Sequence, residues 1–174
     1  MNTHASIARP DARFLLSHPA HFIALGLGSG LSRVAPGTVG TLWAWVSFLV
    51  WQLLVPADRF DAWTGVVIVV STVVGWWACT RTARDLAVLD PGNIVWDEVV
   101  AFWLVLWLIA PASWLGQFVA FLLFRFFDAA KPGPVGWADQ VFKGAGARGG
   151  FGILFDDFVA AFCTLLVIAA WRAI

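Results

Sequence analysis

Five long uncharged stretches, separated by connections that carry proline or glycine, constrain this chain more than any other feature. They run from about Thr38 to Val55, Ala62 to Thr80, Val99 to Ala110, Ala112 to Phe124 and Phe158 to Trp171. A hydrocarbon core of about 30 Å takes about 20 helical residues to cross. The last three stretches reach that length only by extension to Asn93, Ala130 and Phe151, which places charged residues inside the helix ends. The expected fold is therefore all-α: one polytopic membrane bundle over residues 1–174. It has about five membrane-embedded helices, a polar tail over residues 1–17 and a glycine-rich N-terminal segment. The composition agrees, with 60% hydrophobic and only 13% charged residues. Twelve Trp and fifteen Phe without any Tyr suit lipid contact, with indole rings expected as headgroup-level anchors.

The net charge is zero, from eleven basic and eleven acidic residues, so the basic excess of a nucleic-acid binder is missing. Zero is a sum over two unequal sides. If all five helices cross, one face collects Arg9, Arg13, Arg33, Arg81, Arg84, Arg125, Lys131, Lys143 and Arg148, while the other holds Arg59 and Arg172. The positive-inside rule makes the richer face cytoplasmic. No cleavable signal peptide is expected, because the first apolar patch, Phe22 to Leu27, runs into glycines.

The same face carries acids at helix ends. Ile94 to Ala101 and Ile153 to Ala160 share a pattern in which an acidic pair, Asp97–Glu98 or Asp156–Asp157, enters an apolar helix. Asp128 adds a fifth carboxylate from another helix. One such Asp would do no more than complement a helix dipole. Two matching pairs and a fifth acid point to a functional cluster, since an ionised carboxylate near the hydrocarbon boundary needs a proton, a base or a cation. Oxygen-only donors favour Mg²⁺ over Zn²⁺. Cys79 and Cys163 lie in apolar runs without metal-ligand spacing and read as small buried residues.

Arg125, Asp128 and Lys131 recur at every third position and share one helical stripe. Lipid snorkelling explains the two cations but not the acid between them. Beside a metal, the stripe becomes two phosphate clamps and a ligand. The run Gly26 to Ser32, followed by Ala35 to Thr41, matches no nucleotide-binding motif. As a turn on the polar face it offers backbone N–H groups of Gly28, Ser29 and Gly30, with Thr38, to an anion. His21 reads as an interfacial residue or a proton donor. Asp85, Asp90 and Asp139 read as solvated loop charges. A transporter or channel is the alternative function, but it needs polar residues through the full depth of the helices, and these cluster at one end.

Four blocks in this order, Gly28 to Thr41, Ile94 to Glu98, Phe124 to Asp139 and Gly149 to Asp157, resemble the phosphatidylglycerophosphatase A family, over nearly the whole chain from His21 onward. The resemblance implies a Mg²⁺-dependent phosphatase of the bacterial inner membrane, which acts on the phospholipid phosphatidylglycerophosphate to give phosphatidylglycerol and inorganic phosphate. It carries the family's acidic and basic motif positions onto Asp97, Glu98, Arg125, Asp128, Lys131, Asp156 and Asp157, which implies water activation or Mg²⁺ binding for Asp97, Glu98, Asp128 and Asp156 and Mg²⁺ binding for Asp157. Phosphate binding falls to Gly28, Ser29, Gly30, Thr38, Arg125 and Lys131. The Lys143 to Arg148 stretch departs from the family pattern in length, and Arg148 stands where a His is common.

Overall fold

The structure is a computed structural model that describes residues 9–173, and every regular element among them is helical. Two short helices, α1 (Ala12–Ser17) and α2 (Pro19–Ala24), lead through a 3₁₀ turn at Gly26–Leu31 into α3 (Pro36–Leu54). Then follow α4 (Phe60–Leu86), α5 (Trp96–Ile109), α6 (Trp114–Ala130), α7 (Pro134–Val141) and α8 (Gly146–Arg172).

Local chemistry sets the boundaries. Pro36 opens α3 with a pre-set φ and no N–H to satisfy, and Val55 ahead of Pro56 is extended, which ends the helix. Ser113 caps α6 by accepting from the Gly116 N–H, and Lys131, in the left-handed conformation at φ 44°, closes it ahead of Pro132. Helix α5 begins at Trp96, not at Asn93 as the length argument expects, because Ile94 N–H closes a turn on Pro91 C=O and Asn93 Nδ2 donates to Gly30 C=O. Helix α8 starts earlier than Phe151, at Gly146. Residues 131–150 form no simple linker, since they hold α7.

Helix α5 forms the centre, with Val99, Val100, Ala101, Phe102 and Val105 fully buried against its neighbours α3, α4 and α8. Six of the twelve Trp tie helix to helix through their indole N–H: Trp45 to Gln117, Trp51 to Thr64, Trp76 to Ala147 C=O, Trp96 to Ser71 C=O, Trp103 to Ala44 C=O and Ser47, and Trp107 to Asp61. The sequence suggests headgroup anchors for tryptophan. In the fold, half of these rings instead serve as interhelical struts, where an unsatisfied N–H would be expensive.

Three helical segments are long and apolar enough to cross a membrane: Pro36–Leu54, Ala57–Leu86 and Gly146–Arg172. Helices α5 and α6 have 14 and 17 residues. Large apolar side chains point outward on these elements, including Val66, Val69, Val70, Val73 and Trp77 along α4. Such a stripe is costly in water and comfortable among acyl chains.

Small residues let the helices approach at the pole where α3, α5 and α8 begin. A Cβ at Gly150 of α8 would fall on Thr80 of α4, and one at Gly75 would meet the Trp96 indole. Gly150→Ala is expected to lower stability by about 1–3 kcal/mol through overpacking. Thr80→Ala in the same chain should restore only part of it, because the Cβ and Cα of residue 80 would still lie 2.8 and 2.9 Å from the added atom. Thermal unfolding in detergent checks both, and an unchanged midpoint in the single variant would show that α4 and α8 are not held this closely.

Candidate active site

Helix direction brings the predicted acids together. Asp97 and Glu98 open α5, Asp156 and Asp157 lie ten residues into α8, and Arg125 and Asp128 close α6, so three helices deliver their charges to one pole. Glu98, Asp128, Asp156 and Asp157 are buried, and Asp97 is partly so. The five carboxylates are near enough to repel one another.

Arg125 bridges this group. Its Nη1 donates to Glu98 Oε1 at 3.0 Å, to Asp128 Oδ2 at 2.6 Å and to Thr41 Oγ1 at 3.2 Å. Among the described residues its Nη2 and Nε have no partner, which leaves one edge of a fixed guanidinium for another anion. Lys131 Nζ spans Asp156 Oδ2 at 2.6 Å and Asp139 Oδ1 at 2.5 Å. Five acids therefore face two bases.

Asp139 is the residue that the sequence reading passes over. It sits on α7 with its side chain only 12% exposed and also accepts from Lys143 Nζ at 2.8 Å. Burial alone would raise its pKa, but the bonds from Lys131 and Lys143 outweigh this and hold it below the ordinary carboxylate value. Its contribution to stability is thus in place above about pH 3.9, the usual Asp pKa, and is lost as pH falls through the lowered value. For Lys131, burial alone would lower the pKa, yet the bonds to Asp139 and Asp156 raise it overall. That contribution persists through neutral pH and is lost only as pH rises through the raised value.

The glycine-rich region divides in two. Gly28 and Gly30 N–H both donate to Leu25 C=O, and Ser29 Oγ donates to Gly26 C=O, so the polar groups of this turn are largely spent on its own shape. The positive φ of 106° at Gly28 explains the glycine there. The second part faces the acids. A Cβ at Gly37 would collide with the Glu98 carboxylate and one at Gly40 with the Val95 side chain, so the first turn of α3, which includes Thr38, lies directly over the start of α5 at Val95 and Glu98. The Gly-Thr-Val-Gly signal is visible in the sequence, but its partner is not.

His21 is no free interfacial group. It is buried, stacks on Phe14 and shares a 2.8 Å bond between Nε2 and Asp85 Oδ2, while Arg81 Nε holds the same oxygen at 2.7 Å. Helix α4 continues through Leu86, so Arg81, Arg84 and Asp85 belong to it and not to a loop. With Val95 N–H donating to Ala24 C=O, these bonds fasten the N-terminal helices to α4 and to the start of α5.

Among the described residues, no three His, Cys, Asp or Glu side chains form a converged ligand set for a metal ion. The donor chemistry nevertheless suits a hard cation. Glu98 Oε2 and Asp157 Oδ2 are buried carboxylate oxygens without a hydrogen-bond partner among the described residues, and the acids outnumber the bases. Unpartnered anionic oxygen in an apolar bundle calls for positive charge or a proton.

Fold and site together define an all-helical protein of membrane type, with a buried cluster of acids and bases at one pole. The model of the phosphatidylglycerophosphatase A family matches residues 22–172, and the chain belongs to that family. It is 36% identical over 162 residues to phosphatidylglycerophosphatase A of Escherichia coli K12, a match covering 90% of this chain and 84% of the relative. It is 37% identical over 161 residues to the Haemophilus influenzae protein of the same name, covering 92% and 93%. A relative from Bacteroides thetaiotaomicron, 35% identical over 153 residues and covering 86% and 91%, carries a provisional phosphatidylinositol-3-phosphatase name. No solved structure matches the chain.

Proposed function

We propose that this protein is a Mg²⁺-dependent lipid phosphatase. It removes the terminal phosphate of phosphatidylglycerophosphate at the cytoplasmic face of the bacterial inner membrane, with α3, α4, α5, α6 and α8 embedded in the bilayer. The observation that carries this reading is the single pole of buried carboxylates crossed by Arg125 and Lys131, in a chain of this family. Polar groups confined to one pole favour hydrolysis over transport, which needs a polar route through the whole depth.

The lipid would keep its acyl chains in the bilayer and slide its phosphate laterally to the pole. The open edge of the Arg125 guanidinium and the third N–H of Lys131 bind non-bridging phosphoryl oxygens, with the N-terminal turn of α3 at Thr38 adding its positive dipole end. Asp97, Glu98, Asp128, Asp156 and Asp157 would hold Mg²⁺. When bound, the ion supplies positive charge against the phosphoryl oxygens and makes water easier to deprotonate. Water oxygen attacks phosphorus, its proton passes to a carboxylate, and the P–O bond to glycerol breaks. Glu98 and Asp157, each with an unpartnered oxygen, would take that proton. The glyceryl oxygen recovers a proton and leaves as phosphatidylglycerol, with inorganic phosphate as the second product.

Purified protein in mixed micelles should release phosphate from phosphatidylglycerophosphate when Mg²⁺ is present, lose this with chelator and regain it with added Mg²⁺. No release from folded protein in Mg²⁺ would overturn the assignment. Release that ignores the chelator would overturn its metal dependence.

A further inference from the structure

The arrangement around Lys131 points to Asp139 as a positioning residue for phosphate binding, and this rests on the phosphatase reading above. We propose that Asp139, from α7, aims the Lys131 ammonium at the substrate phosphate and retains it there when Asp156 turns to other work.

The geometry is specific. Lys131 follows α6 directly, with its backbone locked at φ 44° and Pro132 behind it, so the stem of the side chain has a fixed origin. Its ammonium has three N–H groups. Asp156 Oδ2 takes one at 2.6 Å and Asp139 Oδ1 takes another at 2.5 Å, which leaves the third for a phosphoryl oxygen. The two carboxylates come from different elements, α7 and α8, and flank the ammonium from separate sides.

Asp139 is itself pinned. Its Oδ2 accepts from Lys143 Nζ at 2.8 Å and from Gln140 Nε2 at 2.8 Å, while Oδ1 is left to Lys131. A carboxylate so fixed is a hinge post for the lysine. Without it, Lys131 has Asp156 as its one remaining partner, and a tight pair with Asp156 would draw the ammonium away from the phosphate and occupy an oxygen of the acidic cluster. Lys143 offsets the charge of Asp139, so this carboxylate brings no uncompensated negative charge into the site. Helix α7 then has a purpose that its short length does not suggest: it brings one carboxylate to Lys131. Val135 and Ala138 bury its inner face and fix its height.

The test is a double-mutant cycle on phosphate release from phosphatidylglycerophosphate, made with Asp139→Asn, Lys131→Gln and both together. Asp139→Asn should raise KM about tenfold with kcat changed by less than about threefold, corresponding to about 1.4 kcal/mol per tenfold. In the Lys131→Gln background the same change should have almost no further effect. Asp139→Glu should recover part of the loss, and the melting temperature in detergent should stay near that of the parent. If Asp139→Asn does not fold, Asp139→Glu and Lys143→Gln decide the matter. The former should raise KM moderately, and the latter, which removes one of the two bonds that pin Asp139 Oδ2 but leaves the Asp139–Lys131 bond, should raise it by a smaller factor. Effects of Asp139→Asn and Lys131→Gln that multiply, or an unchanged KM in the Asp139 variants, would overturn the proposal. Wild-type release of phosphate in the same assay separates that outcome from failure of the phosphatase assignment, which would leave the parent protein itself inactive.

Discussion

Asp97→Asn, Asp128→Asn and Asp156→Asn are each expected to reduce phosphate release by at least about a thousandfold while the protein remains folded in the membrane. The physical basis is an opposition between stability and function. Five carboxylates gathered at one apolar pole face two bases, and an excess of one charge in such a place is expected to oppose folding. An amide in place of one acid keeps size and hydrogen-bonding capacity but removes a charge. It should therefore leave the melting temperature unchanged or raise it, while removing a ligand or base from the reaction. Asp128→Asn and Asp156→Asn also weaken the bonds from Arg125 and Lys131, so any stability gain should be largest for Asp97→Asn and small or absent for the other two. Parallel measurement of turnover and thermal unfolding in detergent reads both quantities. Near-normal turnover in all three variants would remove the acidic pole from the chemistry. A collapse of turnover together with unfolding would mean that the acids are structural.

Arg125→Ala should behave in the opposite way, losing activity and stability together. Its guanidinium is the bridge between Glu98 of α5, Asp128 of α6 and Thr41 of α3, at 3.0, 2.6 and 3.2 Å. Deleting it leaves two buried carboxylates uncompensated, and breaking buried pairs of this kind costs about 3–5 kcal/mol. Arg125→Lys should recover part of the stability, since one nitrogen, Nη1, already makes all three contacts, but little of the turnover, because an ammonium leaves no planar edge for phosphate. Glu98→Gln added to Arg125→Ala should restore much of the stability and none of the turnover. Denaturation in detergent and phosphate release, measured on the single and double variants, check this. A fully stable Arg125→Ala protein would show that the three helices are joined by something other than this arginine.

Much of the fold is legible in the chain, for reasons that depend on single segments. Uncharged stretches of membrane-crossing length can become little else but helices in lipid, since each backbone group must be satisfied within its own segment. Pro56, Pro111 and Pro132 mark where those helices stop. The acids of the site are legible too, because Asp97, Glu98, Asp128, Asp156 and Asp157 interrupt apolar sequence where a charge is costly. Asp139 reads as a solvated loop charge for the same reason in reverse. It lies in a polar, glycine- and proline-containing stretch, where a charge costs nothing by local measure. Only the docking of α7 against α8 turns it into a half-buried partner of two lysines.

The glycines were misread by the same route. Local sequence makes Gly28 and Gly30 the natural anion cradle, but their N–H groups close on Leu25. Gly37 and Gly40 do the work of contact, because nothing larger fits between α3 and the Glu98 carboxylate at the first or the Val95 side chain at the second. His21 followed a similar path, from a lone residue in the N-terminal segment to the buried partner of Asp85, 64 positions away.

By itself, then, the sequence determined the helical class, the apolar stretches and the gathering of charge at their ends, because hydrophobicity and helix breaking act over neighbouring residues. Tertiary structure decided which charges pair, which glycines give room and which tryptophans tie helices together. Those choices depend on distances between segments far apart in the chain, and no local pattern encodes them.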